Sequence, residues 1–186
     1  MGSHTSLASS ASPPAPGDAS VIRAVLDALR RVVRELRLSA RDAERGAGIS
    51  GAQLFVLQTL AQRPASSLND LALRTLTDQS SVSVVVGRLV DRNLVTRKAS
   101  RGDARRVELR ATPAGRRLLA RCPEPTQARL LFALGRMSDG ELESLRRGLG
   151  ALVREMGIEN EEPRMFFEEP HPPPGEPSAR ARRGTT

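Results

Sequence analysis

Residues 94–113, "LVTRKASRGDARRVELRATP", hold one short hairpin in a chain whose other patterns are helical. Val95 on one side of the bend, and Val107, Leu109 and Ala111 on the other, alternate with polar residues such as Glu108 and Arg110. That is the period-two pattern of a half-buried strand, with Gly102 at the bend. A single hairpin among helices makes the expected fold mainly α with a small β-hairpin wing. Thr112-Pro113 then supplies a cap followed by proline in the first turn, so a helix opens directly after the second strand.

Six helical segments surround the hairpin. The first runs from about Ala19 to Arg45, where Ile22, Val25, Leu26, Leu29, Val32, Val33 and Leu36 recur at three and four. Ser50 with Gln53 has the pattern of a capping box and opens the second, which Pro64 ends. Ser67 with Asp70 opens the third in the same way. The fourth begins near Thr77-Asp78 and runs to Arg92, with Asn93 suited to the left-handed position after it. The fifth starts at Thr112, is kinked or broken by Pro123 and Pro125 near Cys122, and resumes from about Thr126 to Met137. Ser138 and Glu141 box the start of the sixth, whose Leu142, Leu145, Leu149, Leu152 and Met156 form a seam resembling that of a coiled coil.

The ends differ in composition. Residues 1–18 are Ser-, Ala- and Pro-rich, and 158–186 are Glu- and Pro-rich, so both are expected to be disordered tails around a domain at 19–157. Met1–His4, "MGSH", reads as an expression scar. The "MFF" at 165–167 stands out in its polar surroundings as a docking peptide. Net charge is +8, and residues 20–158 alone carry 25 Arg or Lys against 14 Asp or Glu. A cationic folded part favours nucleic acid or another anionic surface. Only one of the 29 cations is lysine. With the many Ala, Gly and Pro, that fits a GC-rich genome as well as it fits any choice of guanidinium geometry. There is no apolar run long enough to span a membrane and no secretory signal, and one cysteine fits a reducing compartment, so a cytoplasmic protein is expected.

Residues 68–115, "LNDLALRTLTDQSSVSVVVGRLVDRNLVTRKASRGDARRVELRATPAG", place two helices around a turn of about three residues, then a basic hairpin. This stretch resembles the MarR family of bacterial transcription regulators. "DQSSVSVVVGRLVDRNLV" is similar to the family's recognition helix. Asp103-x-Arg105, Leu109 and Thr112-x-x-Gly115 are similar to its wing and exit. The resemblance implies a winged helix-turn-helix at 50–115 with dimerisation helices at 19–46 and 116–157. It implies a homodimer whose two lobes straddle a pseudopalindromic operator on double-stranded DNA, with repression as the expected outcome. Ile22, Val25, Leu29, Leu142, Leu145, Leu149 and Leu152 are then the expected dimer contacts. The alternative is that both stripes pack within one chain.

On a wheel at about 100° per residue, Val82, Val85, Val86 and Leu89 of the fourth segment gather on a core side. Ser80, Ser83, Val84 and Gly87 lie opposite, Arg88 flanks them and Gln79 stands at the entrance. Gln79, Ser80, Ser81, Ser83, Val84 and Arg88 are the candidate contacts of the recognition helix. Gln79 suits adenine and Val84 a thymine methyl. Where family members often carry charge, this chain has Val84 and Gly87, which shifts weight from direct base reading toward half-site spacing and DNA shape. In the wing, Arg97, Lys98, Arg101, Asp103, Arg105 and Arg106 are the candidates. Arg105 is suited to the minor groove, with Asp103 bracing its guanidinium. Arg101 and Arg106 suit phosphates. Arg101-Gly102-Asp103 also spells a cell-adhesion tripeptide, a match short enough to arise by chance.

Both histidines, His4 and His171, lie in the tails, so no zinc site, cofactor site or histidine-based catalytic set is expected in the core, and an enzyme is argued against. Arg121 beside Cys122 would favour a thiolate and redox sensing, although a lone cysteine is more often inert. The family also implies a small aromatic or phenolic effector, for which this chain without Tyr or Trp offers Phe55 or Phe132. Two other readings share the same features. One is a winged-helix module that binds protein, favoured by the uncharged face of the fourth segment; the other is a non-specific architectural DNA binder, favoured by charge alone.

Overall fold

The computed structural model describes residues 16–100, 103–122 and 124–167, without the side chains of 16–17, 99–100 and 103–107. In chain order the elements are α1 (Pro16–Ala47), α2 (Gly51–Gln62), α3 (Leu68–Thr75), α4 (Gln79–Asp91), β1 (Val95–Ser100), β2 (Asp103–Ala111), α5 (Pro113–Leu119), α6 (Thr126–Gly135) and α7 (Asp139–Glu155). The fold is mostly helical with one antiparallel hairpin. The chain divides into two compact units at Glu35 and Leu36. In the first, α1 leaves Ile22, Val25 and Leu26 exposed.

The second unit is built around α2. Its sequence "GAQLFVLQTLAQ" is apolar around most of its circumference, so it must be surrounded. Ala52, Leu54, Val56, Leu57 and Leu60 are all buried, and so is Phe55. Ser50 and Gln53 form the expected reciprocal capping box at its start, and both are buried. Leu71 of α3, the Val82, Val85, Val86 and Leu89 face of α4, and Val95 and Leu109 of the hairpin close around it. From Leu36 onward α1 joins this unit, burying Leu36, Ala40 and Ala43.

The hairpin register pairs Val95 with Ala111, Arg97 with Leu109 and Ala99 with Val107, then shifts between Ala99 and Ser100. Ala65 extends the pairing as an isolated bridge, giving to and accepting from Leu109 at 3.0 and 2.8 Å. Thr112 caps α5: its Oγ1 accepts from the Gly115 N–H at 3.0 Å and donates to the Asn93 carbonyl at 2.8 Å. Any Cβ at Gly115 would overlap the Leu94 carbonyl oxygen, which accounts for glycine in the Thr-Pro-Ala-Gly exit of the wing.

The proline pair breaks the fifth segment outright: α5 stops at Leu119, and α6 resumes at Thr126 and ends at Gly135, short of the expected Met137. The Thr126 N–H donates to Ser39 Oγ at 3.1 Å, tying α6 to the second part of α1. Ser138 and Glu141 form the capping box of α7, whose stripe stays exposed. The expected tail from 158 is shorter at its near end. Residues 158–167 are placed, and Met165 is 4% exposed within the core cluster. The apolar triple Met165-Phe166-Phe167 has buried surface to gain, whereas its Glu- and Pro-rich flanks do not. At the other end α1 already begins at Pro16, inside the expected tail of residues 1–18; residues 1–15 and 168–186, with His4 and His171, lie outside the described residues. Among the described residues no helix is long and apolar enough to cross a membrane.

Candidate nucleic-acid interface

α3 and α4 are joined by a three-residue turn whose first residue, Leu76, takes the left-handed conformation (φ 50°), while the Thr77 N–H donates back to Ala72 at 3.0 Å. Asp78 then caps α4, accepting the Ser81 N–H at 2.8 Å and the Ser80 hydroxyl at 2.5 Å. These two bonds, the hydroxyl first, hold the Asp78 carboxyl down at about 2 against an ordinary 3.8. Sequence reasoning named Asp78 as a helix start but not as a site residue. The signal was there, since an acid one position before a recognition helix fixes the charge at its entrance.

Gln79, Ser80, Ser83 and Gly87 are exposed along α4, with Val84 and Arg88 half-buried beside them. Ser81 does not join them. It is 7% exposed and turned into the lobe, because it lies one turn before Val85, about 40° from it on the wheel and so beside the core face. Ser80 has already committed its hydroxyl proton to Asp78, so it meets a groove mainly as an acceptor.

In the wing, Arg97 and Lys98 are both exposed but are neighbours on one strand, so they leave opposite faces. Lys98 lies across from Glu108, and Glu108 pairs with Arg110 at 2.6 Å. That contact lowers the Glu108 carboxyl and raises the Arg110 guanidinium from their usual values. Arg101, and the side chains of Asp103, Arg105 and Arg106, lie outside the described residues, and with them the proposed brace.

Three cations that the charge count gave to a partner's field serve the fold instead. Arg74 Nη2 donates to the carbonyls of Thr59 at 2.6 Å and Arg63 at 2.9 Å, closing the C-terminal end of α2. Arg92 reaches the Gly48 carbonyl, and Arg116 reaches that of Ala61 at 2.9 Å. No local sequence signal marks these bonds, because their partners are 11 to 55 residues away.

Beside the turn opens a cavity of about 660 Å3, walled by Leu73, Leu76, Leu131, Met165 and Phe166, with Gln79 at its edge. Phe55 is sealed in the core and Phe132 lies exposed under Arg136, 5.7 Å from ring centroid to guanidinium carbon, so neither suggested aromatic lines it. Phe166 does, a residue that stood in the expected tail. Cys122 is half-buried and bonds the Leu118 carbonyl at 3.3 Å, and burial pushes its thiol up, against the activated thiolate that Arg121 suggested.

A profile of the MarR family matches residues 47–106, from the end of α1 through the wing tip. A curated protein of Thauera aromatica, "Putative transcriptional regulatory protein for hcr operon", is 31% identical over 126 residues, spanning 68% of this chain and 76% of its own length. Among solved structures, the MarR family transcription regulator SP03579 superposes with a TM-score of 0.50 at 19% identity, over 76% of this chain and 93% of that one, which shows the shared fold. A probable transcriptional regulator from Pseudomonas aeruginosa is 30% identical over 67% of this chain and 93% of its own, with a TM-score of 0.44. With the helix-turn-helix and its wing, the family profile and the curated relative in agreement, the chain belongs to the MarR family of transcriptional regulators.

Proposed function

We propose that the chain is a homodimeric repressor that reads a pseudopalindromic operator. α4 enters the major groove and the wing flanks it, with half-sites about 34–36 Å apart, one turn of DNA. The observation that carries this reading is the division of labour along α4. Val82, Val85, Val86 and Leu89 complete the core, while the opposite side presents only small and uncharged groups at Gln79, Ser80, Ser83 and Gly87. Such a surface lets the helix sit close to the groove floor, and the cationic wing supplies attraction to the backbone.

A second copy is the proposed cover for the stripes on α1 and α7. Ile22 and Val25 of the first unit, and Leu142, Leu145, Leu149 and Leu152 of the second, stand 37–50% exposed at a spacing that suits helix–helix burial. Leu29 lies half-buried on the same stripe as Ile22 and Val25. The cavity beside the turn is the proposed effector site. Its volume suits a small aromatic molecule, and its walls join the recognition-helix entrance to α6, so an occupant there would bias the lobe's position.

The test is a binding titration on the natural upstream duplex. Arg105→Ala is expected to weaken binding by about 1–3 kcal/mol, the scale of a specific groove contact, whereas Arg101→Ala weakens all duplexes alike and flattens the salt slope by about one unit. Equal affinity for operator and random duplex would leave a non-specific binder. No affinity for either would leave a protein-interaction module.

A further inference from the structure

We propose that residues 159–167 are an autoinhibitory strap: Met165 pins the segment into the lobe and thereby holds three carboxylates beside the entrance of the recognition helix, where they oppose DNA. The proposal rests on α4 being the DNA-reading helix and adds a control on it. The anchor is Met165, 4% exposed and part of the core cluster. Phe166 and Phe167 flank a small crevice with Leu36, Ala40, Gly51 and Pro125, so the strap grips α1, α2 and the start of α6 at once. Immediately before the anchor, Pro163 and Arg164 form a wall of the same cavity as Thr77, Asp78 and Gln79.

Glu162 precedes Pro163, and consecutive Cα atoms are about 3.8 Å apart, so Glu162 is held near that wall. Glu159, Glu161 and Glu162 are all exposed, against one guanidinium, Arg164. The segment is ordered by its own turns: the Glu161 N–H donates to Ile158 at 3.2 Å and the Arg164 N–H to Glu162 at 2.9 Å. Asp78 sets a carboxylate at the entrance itself. A helix N-terminus would otherwise welcome phosphate. On the proposal its approach instead meets the negative charge of the strap, while residues 20–158 carry 25 Arg or Lys against 14 Asp or Glu. Repulsion of this kind between exposed groups weakens over the Debye length, about 10 Å at 0.1 M salt and about 3 Å at 1 M.

The experiment uses the full chain with Glu159, Glu161 and Glu162 all changed to Gln, titrated against the wild type on one duplex at 0.05 M and 0.4 M salt. A control replaces Glu35, Glu44 and Glu124 with Gln, which removes equal charge elsewhere. Wild-type binding that is lost in Arg97→Ala/Lys98→Ala first establishes the winged-helix contact. If the wild type binds no duplex, the proposed function fails before the strap is tested. The strap variant is expected to bind about three- to ten-fold tighter at the lower salt, with the gain falling below two-fold at the higher, and the control is expected to change by less than two-fold. Met165→Ser should reproduce the gain, and combining it with the Glu→Gln changes should add nothing further, since both remove the same charge from the same place. A strap variant that binds no tighter than wild type, or a control that gains as much, overturns the proposal. The Gln changes are on the surface and leave the core intact, so this result does not depend on the fate of Met165→Ser.

Discussion

The α2–α5 lobe and α7 both carry leucines at regular spacing but leave them in opposite states. In the lobe, Leu57, Leu60, Leu71, Leu89 and Leu109 are all 0% exposed. In α7, Leu142, Leu145, Leu149 and Leu152 are 40, 37, 43 and 40% exposed, and the helix has no buried residue at all. The helices of both regions are capped by side chains at their starts. The lobe, however, finds its complement within one chain, and α7 does not. Periodicity therefore tells which face of a helix must be covered, and not whose surface covers it. For a MarR-family chain, the proposed answer for α7 is a second copy.

The contrast can be broken first at α7. Leu149→Asp puts a charge in the proposed seam. It should convert a dimer to a monomer by sedimentation and cost at least a hundred-fold in operator affinity, while the circular dichroism of the lobe is retained. A monomeric variant that binds DNA as well as the wild type would separate α7 from function. The lobe should respond in the other way. Leu109→Ala empties the space between hairpin and α2 and is expected to cost about 2–5 kcal/mol in chemical denaturation. Its oligomeric state should not change wherever it remains folded.

Smaller effects sharpen the account of the lobe. Arg74→Ala removes the guanidinium bonds to the carbonyls of Thr59, which keeps the Arg63 N–H, and of Arg63, and should cost about 1.5–3 kcal/mol, the range for bonds to a charged group. Arg74→Lys should recover only part of it, because one ammonium cannot reproduce the fork. Asp78→Ala removes the α4 cap and should cost about 0.5–2 kcal/mol. The same carboxyl predicts a pH dependence. It titrates at about 2 when folded and near 3.8 when unfolded, so its contribution is complete above about pH 4 and is lost as pH falls through about 2. Denaturation midpoints of wild type and Asp78→Ala should therefore converge in acid.

Much of the fold was legible because local chemistry and tertiary packing agree. Ser50, Ser67, Thr112 and Ser138 each mark a helix start that the structure keeps. Asn93 takes the left-handed position at φ 57°, and the Val82, Val85, Val86 and Leu89 face is buried as the wheel required. Ser81 was misplaced because a list of small polar residues ignores the hundred degrees that separate neighbours on a helix. Arg74, Arg92 and Arg116 looked like partner-facing charge because sequence counts cations without the distant carbonyls they reach. Met165 and Phe166 were read through the composition of their surroundings, whereas the burial of Met165 and the place of Phe166 at the cavity depend on a surface supplied by α1, α3 and α6.

The central claim is that two copies of this chain act together on one duplex. Sedimentation velocity of a fluorescent operator duplex with the full chain at micromolar concentration and low salt measures that stoichiometry directly. The account predicts two chains per duplex, moving as one species, with free protein sedimenting as a dimer. A complex containing one chain, or free protein that remains a single subunit while still occupying the duplex, would contradict it.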